Sequence, residues 1–434
     1  MFQKLKYWFK LLFIAGGTQL VVQLITLFSG ILIIRVLLTK EYAFYTIANS
    51  MLGTMSLLAD SGISTGVMSQ GGKVWDNKEK LGSVIVTGLF LRKRFAIFSL
   101  LVSLPILAYL LWHNGASWGQ ILLISGCLVP AFFAALSDSL LEIVPKLGQE
   151  IIPIQKNQLF TNILRLVMLV GSLFLLPFTF IALLTNGIPR FWGNIKLKRI
   201  AARRANFNQP KDTAVEKEIL KIVFRGLPEL IYYCLSGQIT IWLLSLFSGS
   251  VSSIAQVGAV SRLAVIINFC TILFSSFVIP RFARLPANAS LLLNRFLQIF
   301  VGLVFFAIII TCLVWVFSPA LLFVLGKKYA SANHILLLYF MGSSLGFISG
   351  MTFGIYASRG WILNPLVSIP YNLVVLGIGL LLFKVSTIDG VLLYNLYLAG
   401  MQLVLHLWYT LFKITELRKQ QSLLVAAETA IQKK

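Results

Sequence analysis

Three arginines, Arg165, Arg190 and Arg262, stand inside long apolar stretches of this sequence. An ionised side chain at mid-bilayer costs at least about 2.5–3.5 kcal/mol on insertion scales, so a guanidinium kept there marks either a function or a partner. The group is planar, permanently charged and matched to phosphate oxygens. Its chemistry is to hold an anion, with no covalent step. For each arginine the structural alternative is an interhelical pair or a side chain that snorkels to the surface. Arg262 falls some five residues into its stretch, roughly 7.5 Å deep at 1.5 Å per residue. Arg165 lies about as far from the other end of its own stretch, on a ladder with Gln158 and Asn162, and Arg190 lies close to the basic flank.

Acids are fewer. Asp60 and Glu229 occupy matching polar ladders, Asn49, Gly53, Ser56 and Asp60 in one and Glu229, Tyr233, Ser236 and Thr240 in the other. Spacings of 4, 3 and 4 place each set on one helix face. The two acids could bind a proton or a sodium ion, or pair with Arg165; the structural role is preferred. Asp138 and Glu142, one turn apart, are expected to pair with neighbouring basic residues. Gln19 and Gln23 share a face beside Gly16-Gly17, which suggests a bend towards a cavity, with small-residue helix packing as the competing reading. Pro365, Pro370 and Asn372 mark a further kink.

Other chemistries lack their residues. The sequence has no G-x4-GK-[ST], HExxH or GxSxG pattern, so no catalytic residues are assigned and an enzyme is not expected. Cys127, Cys234, Cys270 and Cys312 sit singly in apolar runs without CxxC spacing, and His113, His334 and His406 are scattered. Neither a metal nor a cofactor is expected.

The elements that position these residues are membrane helices. Of 434 residues 58% are hydrophobic and only 12% charged, with a mean hydropathy of +0.87, whereas soluble domains carry about 25% charge. Twelve spans of suitable length follow, at 11–34, 43–63, 95–112, 120–141, 159–177, 178–195, 226–247, 257–279, 297–317, 335–357, 365–383 and 391–412. A net charge of +23 would suggest nucleic acid in a soluble protein. Here the bases fall between spans, and only Arg35, Lys40, Lys327, Lys328 and Lys384 lie on the face opposite the termini. By the positive-inside rule both termini are cytoplasmic, and nucleic acid is excluded as a partner. The N-terminal run imitates a signal peptide but is too long for one and lacks a cleavage site.

The longest hydrophilic interruption, 196–225, separates six spans from six. Residues 206–225 are read as a solvated linker, with Thr213-Ala-Val-Glu216 opening a helix through a capping-box pattern, and 413–434 as a cytoplasmic tail. The segment 81–94 is read as a basic interfacial anchor to anionic lipid.

Arg35-Val-Leu-Leu-Thr-Lys-Glu-Tyr-Ala-Phe-Tyr45 is similar to an R-x-L-G-x-x-x-Y-G-x-Y pattern, with Thr39 and Ala43 where glycine-containing turns are usual, and Leu57-Leu-Ala-Asp-Ser-Gly-Ile63 to a following D-x-G. With Pro280-Arg281 and Leu322-Phe-Val-Leu-Gly-Lys-Lys-Tyr-Ala330, these segments resemble the Wzx-like polysaccharide/oligosaccharide flippases of the multidrug/oligosaccharidyl-lipid/polysaccharide exporter superfamily. The resemblance implies an all-α polytopic membrane protein of about twelve helices, with six-helix lobes at 1–205 and 226–412 around a central cavity. It implies alternating access in the bacterial cytoplasmic membrane. The implied cargo is an undecaprenyl-diphosphate-linked oligosaccharide repeat unit, moved from inner to outer leaflet for O-antigen or another surface polysaccharide. Membrane lipid and other polysaccharide-assembly membrane proteins are the further partners. Arg262 matches a basic cavity position of the family, with Arg165, Arg190, Gln19 and Gln23 as further substrate-binding candidates. A cation-coupled multidrug exporter of the same superfamily is the alternative, and would line its cavity with acids.

Overall fold

The computed structural model describes residues 2–148, 150–247, 250–283, 285–359, 361 and 363–432, with side chains described for these except 2–16, 151, 225–226, 228–238, 276–277, 280, 283 and 424–432. Every regular element among them is helical. The chain divides into two compact units, Met1–Arg262 and Leu263–Lys434.

The first unit holds α1 (Phe2–Val36), α2 (Thr39–Asp60), α3 (Ile63–Gly72), α4 (Lys78–His113), α5 (Trp118–Leu141), α6 (Ile143–Leu147), α7 (Ile151–Leu173), α8 (Thr179–Ala201), α9 (Thr213–Phe247) and α10 (Val251–Ser261). Local sequence sets several boundaries. Asn77 caps α4 by accepting from the backbone N–H groups of Glu79 (3.1 Å) and Lys80 (3.0 Å). Ser117 and Gln120 form a reciprocal capping box at the start of α5. The D-x-G segment is a helix break: Ser61 and Gly62 take left-handed φ values of 42° and 85°, the second readily adopted only by glycine. Asp60 closes that break by accepting from the Ser64 amide (3.2 Å) and hydroxyl (2.7 Å).

A 3-10 turn (Arg262–Ala264) begins at the last residue of the first unit, and the second unit holds α11 (Val265–Phe277), α12 (Ile279–Ala283), α13 (Ala289–Val316), α14 (Ser318–Leu325), α15 (Asn333–Ala357), α16 (Pro365–Leu382) and α17 (Ile388–Gln432). Phe347 of α15 packs edge-on against Phe274 of α11, and Gln402 of α17 donates to Asn372 of α16 at 2.5 Å.

All twelve expected spans fall on helices, the eighth interrupted by the 3-10 turn at Arg262. Among the described residues seven helices are long and apolar enough to cross a membrane by themselves, and α10 with α11 passes the same test as a bent pair. The other expected spans lie on α2, α7, α8 and α9. Protein explains the polar character of α2: the run from Glu41 to Ala48 is buried. A helix surrounded by other helices need not present an apolar face to lipid all round. By contrast α13 exposes Val301 and Phe305 (64% and 65%), as a lipid-facing helix must.

Several sequence expectations are corrected. The segment 81–94 is not only a basic surface strip: it forms the first turns of α4 and has a buried apolar face. Its Leu81, Val84, Ile85 and Leu91 join a buried core with Ile63 and Val67 of α3 and Ile219 and Val223 of α9. The linker is not free in solvent over its first half. Asn206 donates its backbone N–H to the Lys78 carbonyl (2.9 Å), Ser83 donates to the Pro210 carbonyl (2.8 Å), and the Asp212 amide donates to the Thr87 hydroxyl (2.9 Å). The cap of α9 is Asp212, whose carboxylate accepts from the Ala214 and Val215 amides, rather than Thr213. Glu216 turns instead towards Lys211 and Arg94.

Candidate functional site

Arg262 stands at the C-terminal end of α10, where the helix gives way to its 3-10 turn. Its aliphatic stem lies against α1 at Gly30. Its guanidinium faces α2, with the charged carbon 5.4 Å from the centroid of the Tyr45 ring. Tyr42, one turn earlier on the same face, stacks with Tyr45 at 6.1 Å and an interplanar angle of 25°. Both rings are buried. A cation over an aromatic face gains about 0.5–2 kcal/mol, more as water is excluded.

The Tyr45 hydroxyl accepts a hydrogen bond of 3.2 Å from the Asn186 side chain of α8. One turn further along α8 comes Arg190, and Arg165 approaches from α7. Arg165 lies within electrostatic range of Tyr45, Arg190 and Arg262. Five helices, α1, α2, α7, α8 and α10, therefore gather two guanidinium groups, those of Arg262 and Arg165, at one tyrosine pair, with the third, Arg190, beside Arg165.

Among the described residues none of the three arginines makes an ion pair. Asp138 of α5 lies within the electrostatic range of Arg190 without pairing with it. The Arg262 guanidinium is next to the Tyr42 hydroxyl, yet Arg262 Nε and that hydroxyl both lack a partner in hydrogen-bonding geometry, as does Arg165 Nε. Half-buried cations without a counterion and buried donors without an acceptor are each costly. Their concentration at one place is what an anion-binding site requires, because a bound anion supplies the missing charge and acceptors together.

The remaining sequence candidates go elsewhere. Asp60 pairs with Arg92 of α4, not with Arg165. Arg92, only 2% exposed, also donates to the Leu136 carbonyl (2.5 Å), the Ser139 hydroxyl (2.6 Å) and the Ser64 hydroxyl (2.6 Å). Asp60 is thus the counterion of a structural crosslink between α2, α3, α4 and α5. Glu142 pairs with Lys146 (2.7 Å) and accepts from Gln158 (2.8 Å), as a structural acid would. Gln19 and Gln23 are half-buried on α1, and neither hydrogen-bonds to the arginines. The side chain of Glu229, like that of Cys234, lies outside the described residues. Cys127, Cys270 and Cys312 are free thiols.

Three residues of the cluster escaped the sequence reading as functional groups: Tyr42, Tyr45 and Asn186. The i, i+3 tyrosine pair at the head of an otherwise polar span was the available signal. Asn186 carries none without knowledge of the fold.

No family model matches the chain, and no curated protein matches it. Solved structures do. The fold is similar to that of an inward-facing multidrug resistance transporter of the MATE family in the MOP superfamily, at 15% identity and a TM-score of 0.72 over 93% of this chain and 99% of that one. It is similar to the lipid II flippase MurJ in an inward closed conformation, at 15% identity and 0.69 over 92% and 87%. An outward-facing MATE transporter matches at 15% identity and 0.65 over 94% and 95%. The chain therefore has the fold of these membrane transporters.

Proposed function

We propose that this protein is a flippase for an undecaprenyl-diphosphate-linked oligosaccharide repeat unit, the precursor of O-antigen or another surface polysaccharide. It works in the bacterial cytoplasmic membrane, with both termini cytoplasmic, and carries its cargo from inner to outer leaflet by alternating access. Other polysaccharide-assembly membrane proteins act before and after it.

One observation carries this reading: Arg165 and Arg262 converge on Tyr45 with Arg190 beside Arg165, and among the described residues no carboxylate pairs with any of the three. The physics of the cargo fits. Each unsatisfied hydroxyl taken into hydrocarbon costs roughly 2–7 kcal/mol, so a sugar chain with a diphosphate is held in one leaflet kinetically. A transporter need only offer the headgroup a cationic, hydrogen-bonding environment while the isoprenoid stays in lipid. Arginine binds diphosphate through its fork of donors. Lipid II, the cargo of one similar fold, is likewise lipid-linked.

The alternative, a cation-coupled multidrug exporter, draws on the likeness to the MATE transporters. A cationic drug would meet like charge at this cluster, which argues for the anionic cargo.

Deleting the protein tests the proposal. Lipid-linked repeat units should accumulate on the inner leaflet and surface glycan should fall. Unchanged glycan without accumulation overturns the flippase reading. Arg262→Ala should impair export while the protein remains abundant in the membrane.

A further inference from the structure

Away from the arginine cluster, α4 and α5 enclose a groove of about 240 Å³ lined by Leu89, Arg92, Lys93, Ala96, Phe133 and Leu136, with Ser137 at its edge. Most of this wall is apolar. Two nitrogen groups break it. Lys93 is exposed and pairs with no carboxylate among the described residues. Arg92 is buried, and although its terminal nitrogens are engaged, its Nε has no hydrogen-bond partner.

We propose that this groove binds an anionic membrane phospholipid, with its phosphate at Lys93 and one acyl chain along Ala96 and Phe133. The charge of Lys93 calls for an anion, and the apolar walls call for hydrocarbon. A free phosphate would satisfy the first and leave the second wet. The volume is below the roughly 300–1,000 Å³ of sites that enclose a whole drug-sized ligand. It therefore holds part of a longer molecule. The remainder has a path: Lys93, Ile97 and Leu101 follow one another at four-residue spacing on α4, and Ile97 and Leu101 are 49% and 70% exposed. Both helices are among those apolar enough to cross a membrane, so this face meets lipid.

The floor of the groove is the residue that ties the unit together, since the Arg92 guanidinium holds Asp60, Ser64 and the Leu136 carbonyl. A lipid seated there fastens α4 against α5 over that crosslink. The site shares no residue with the arginine cluster and stands or falls without the flippase reading.

The test uses the full chain, purified in detergent and titrated in separate arms with phosphatidylglycerol, phosphatidylcholine of the same chains, and inorganic phosphate. Native mass spectrometry reads bound lipid, and thermal unfolding reads stabilisation. Phosphatidylglycerol should be retained at least about fivefold better than phosphatidylcholine, the effect expected of one lysine at an anionic headgroup. Phosphate alone should not stabilise. Lys93→Gln should lower phosphatidylglycerol retention about fivefold. Ser137→Leu should lower it by filling the groove, because that hydroxyl serves only its own helix, donating to the Phe133 carbonyl at 3.0 Å. Equal retention of the two lipids, equal stabilisation by phosphate, or unchanged retention in either variant overturns the proposal. In particular, a loss confined to Lys93→Gln would mean a diffuse attraction that needs no groove.

Discussion

Gly30 of α1 makes room for Arg262: a Cβ at position 30 would stand 3.2 Å from the arginine Cδ. The missing side chain lets the arginine stem lie flat on α1 and carry its guanidinium to the tyrosines of α2. An alanine at this position asks the flexible stem to yield by a few tenths of an ångström, whereas a β-branched residue fills the space the stem occupies. Gly30→Ala should therefore retain most export and Gly30→Val should lose most of it, at equal membrane abundance. Quantifying surface glycan against protein level checks this, and equal export by both variants would show that the Arg262 position is unimportant.

Tyr45 supports the guanidinium by its ring and is itself held by Asn186 through its hydroxyl. Tyr45→Leu removes the aromatic face, worth about 0.5–2 kcal/mol of cation stabilisation. Tyr45→Phe keeps it. Export should fall several-fold in the leucine variant and much less in the phenylalanine variant. The reverse order would assign the contribution to the hydroxyl.

The Asp60–Arg92 pair makes a different prediction, about stability. Removing one partner of a buried ion pair costs about 3–5 kcal/mol, because the other charge remains without compensation. Asp60 is partly open to solvent, with its side chain 30% exposed against 3% for Arg92, so its loss should sit at or below the lower end of that range. Asp60→Asn and Arg92→Leu should each lower the midpoint of thermal unfolding in detergent, and the double variant should recover part of the loss. If Asp60→Asn abolishes export with the unfolding midpoint unchanged, Asp60 is a coupling acid after all.

Glu41 was assigned no role from sequence, yet its carboxylate binds the start of α8 to α2. It accepts from the Thr179 amide (2.8 Å) and hydroxyl (2.6 Å), and from Gln120 of α5 (3.1 Å). Replacement by alanine leaves a buried amide without its acceptor, at about 1–3 kcal/mol. Glu41→Ala should show a lowered unfolding midpoint and reduced abundance, and Glu41→Gln, which keeps an acceptor oxygen, about half the effect. A fully stable alanine variant would refute the clamp.

The sequence made the helices legible because lipid imposes a single rule on every span, a continuous apolar stretch of fixed length. That rule located α4, α5, α13, α15, α16 and α17 from composition alone. It was least informative for α2, α7 and α8, whose polar residues interrupt the apolar stretch; these are the helices that carry Tyr45, Arg165 and Arg190.

Sequence by itself determined that the chain crosses a membrane repeatedly and that Arg165, Arg190 and Arg262 are costly enough to need a reason. It could do so because hydropathy and charge are properties of single residues. Partner choice is not. Whether Asp60 neutralises Arg165 or Arg92, whether the apolar residues of 81–94 join a core, and whether Arg262 meets lipid or a tyrosine ring were decided by contacts between residues tens to more than two hundred positions apart. Those contacts exist only once the helices have packed, and packing depends on side-chain shape at every interface at once.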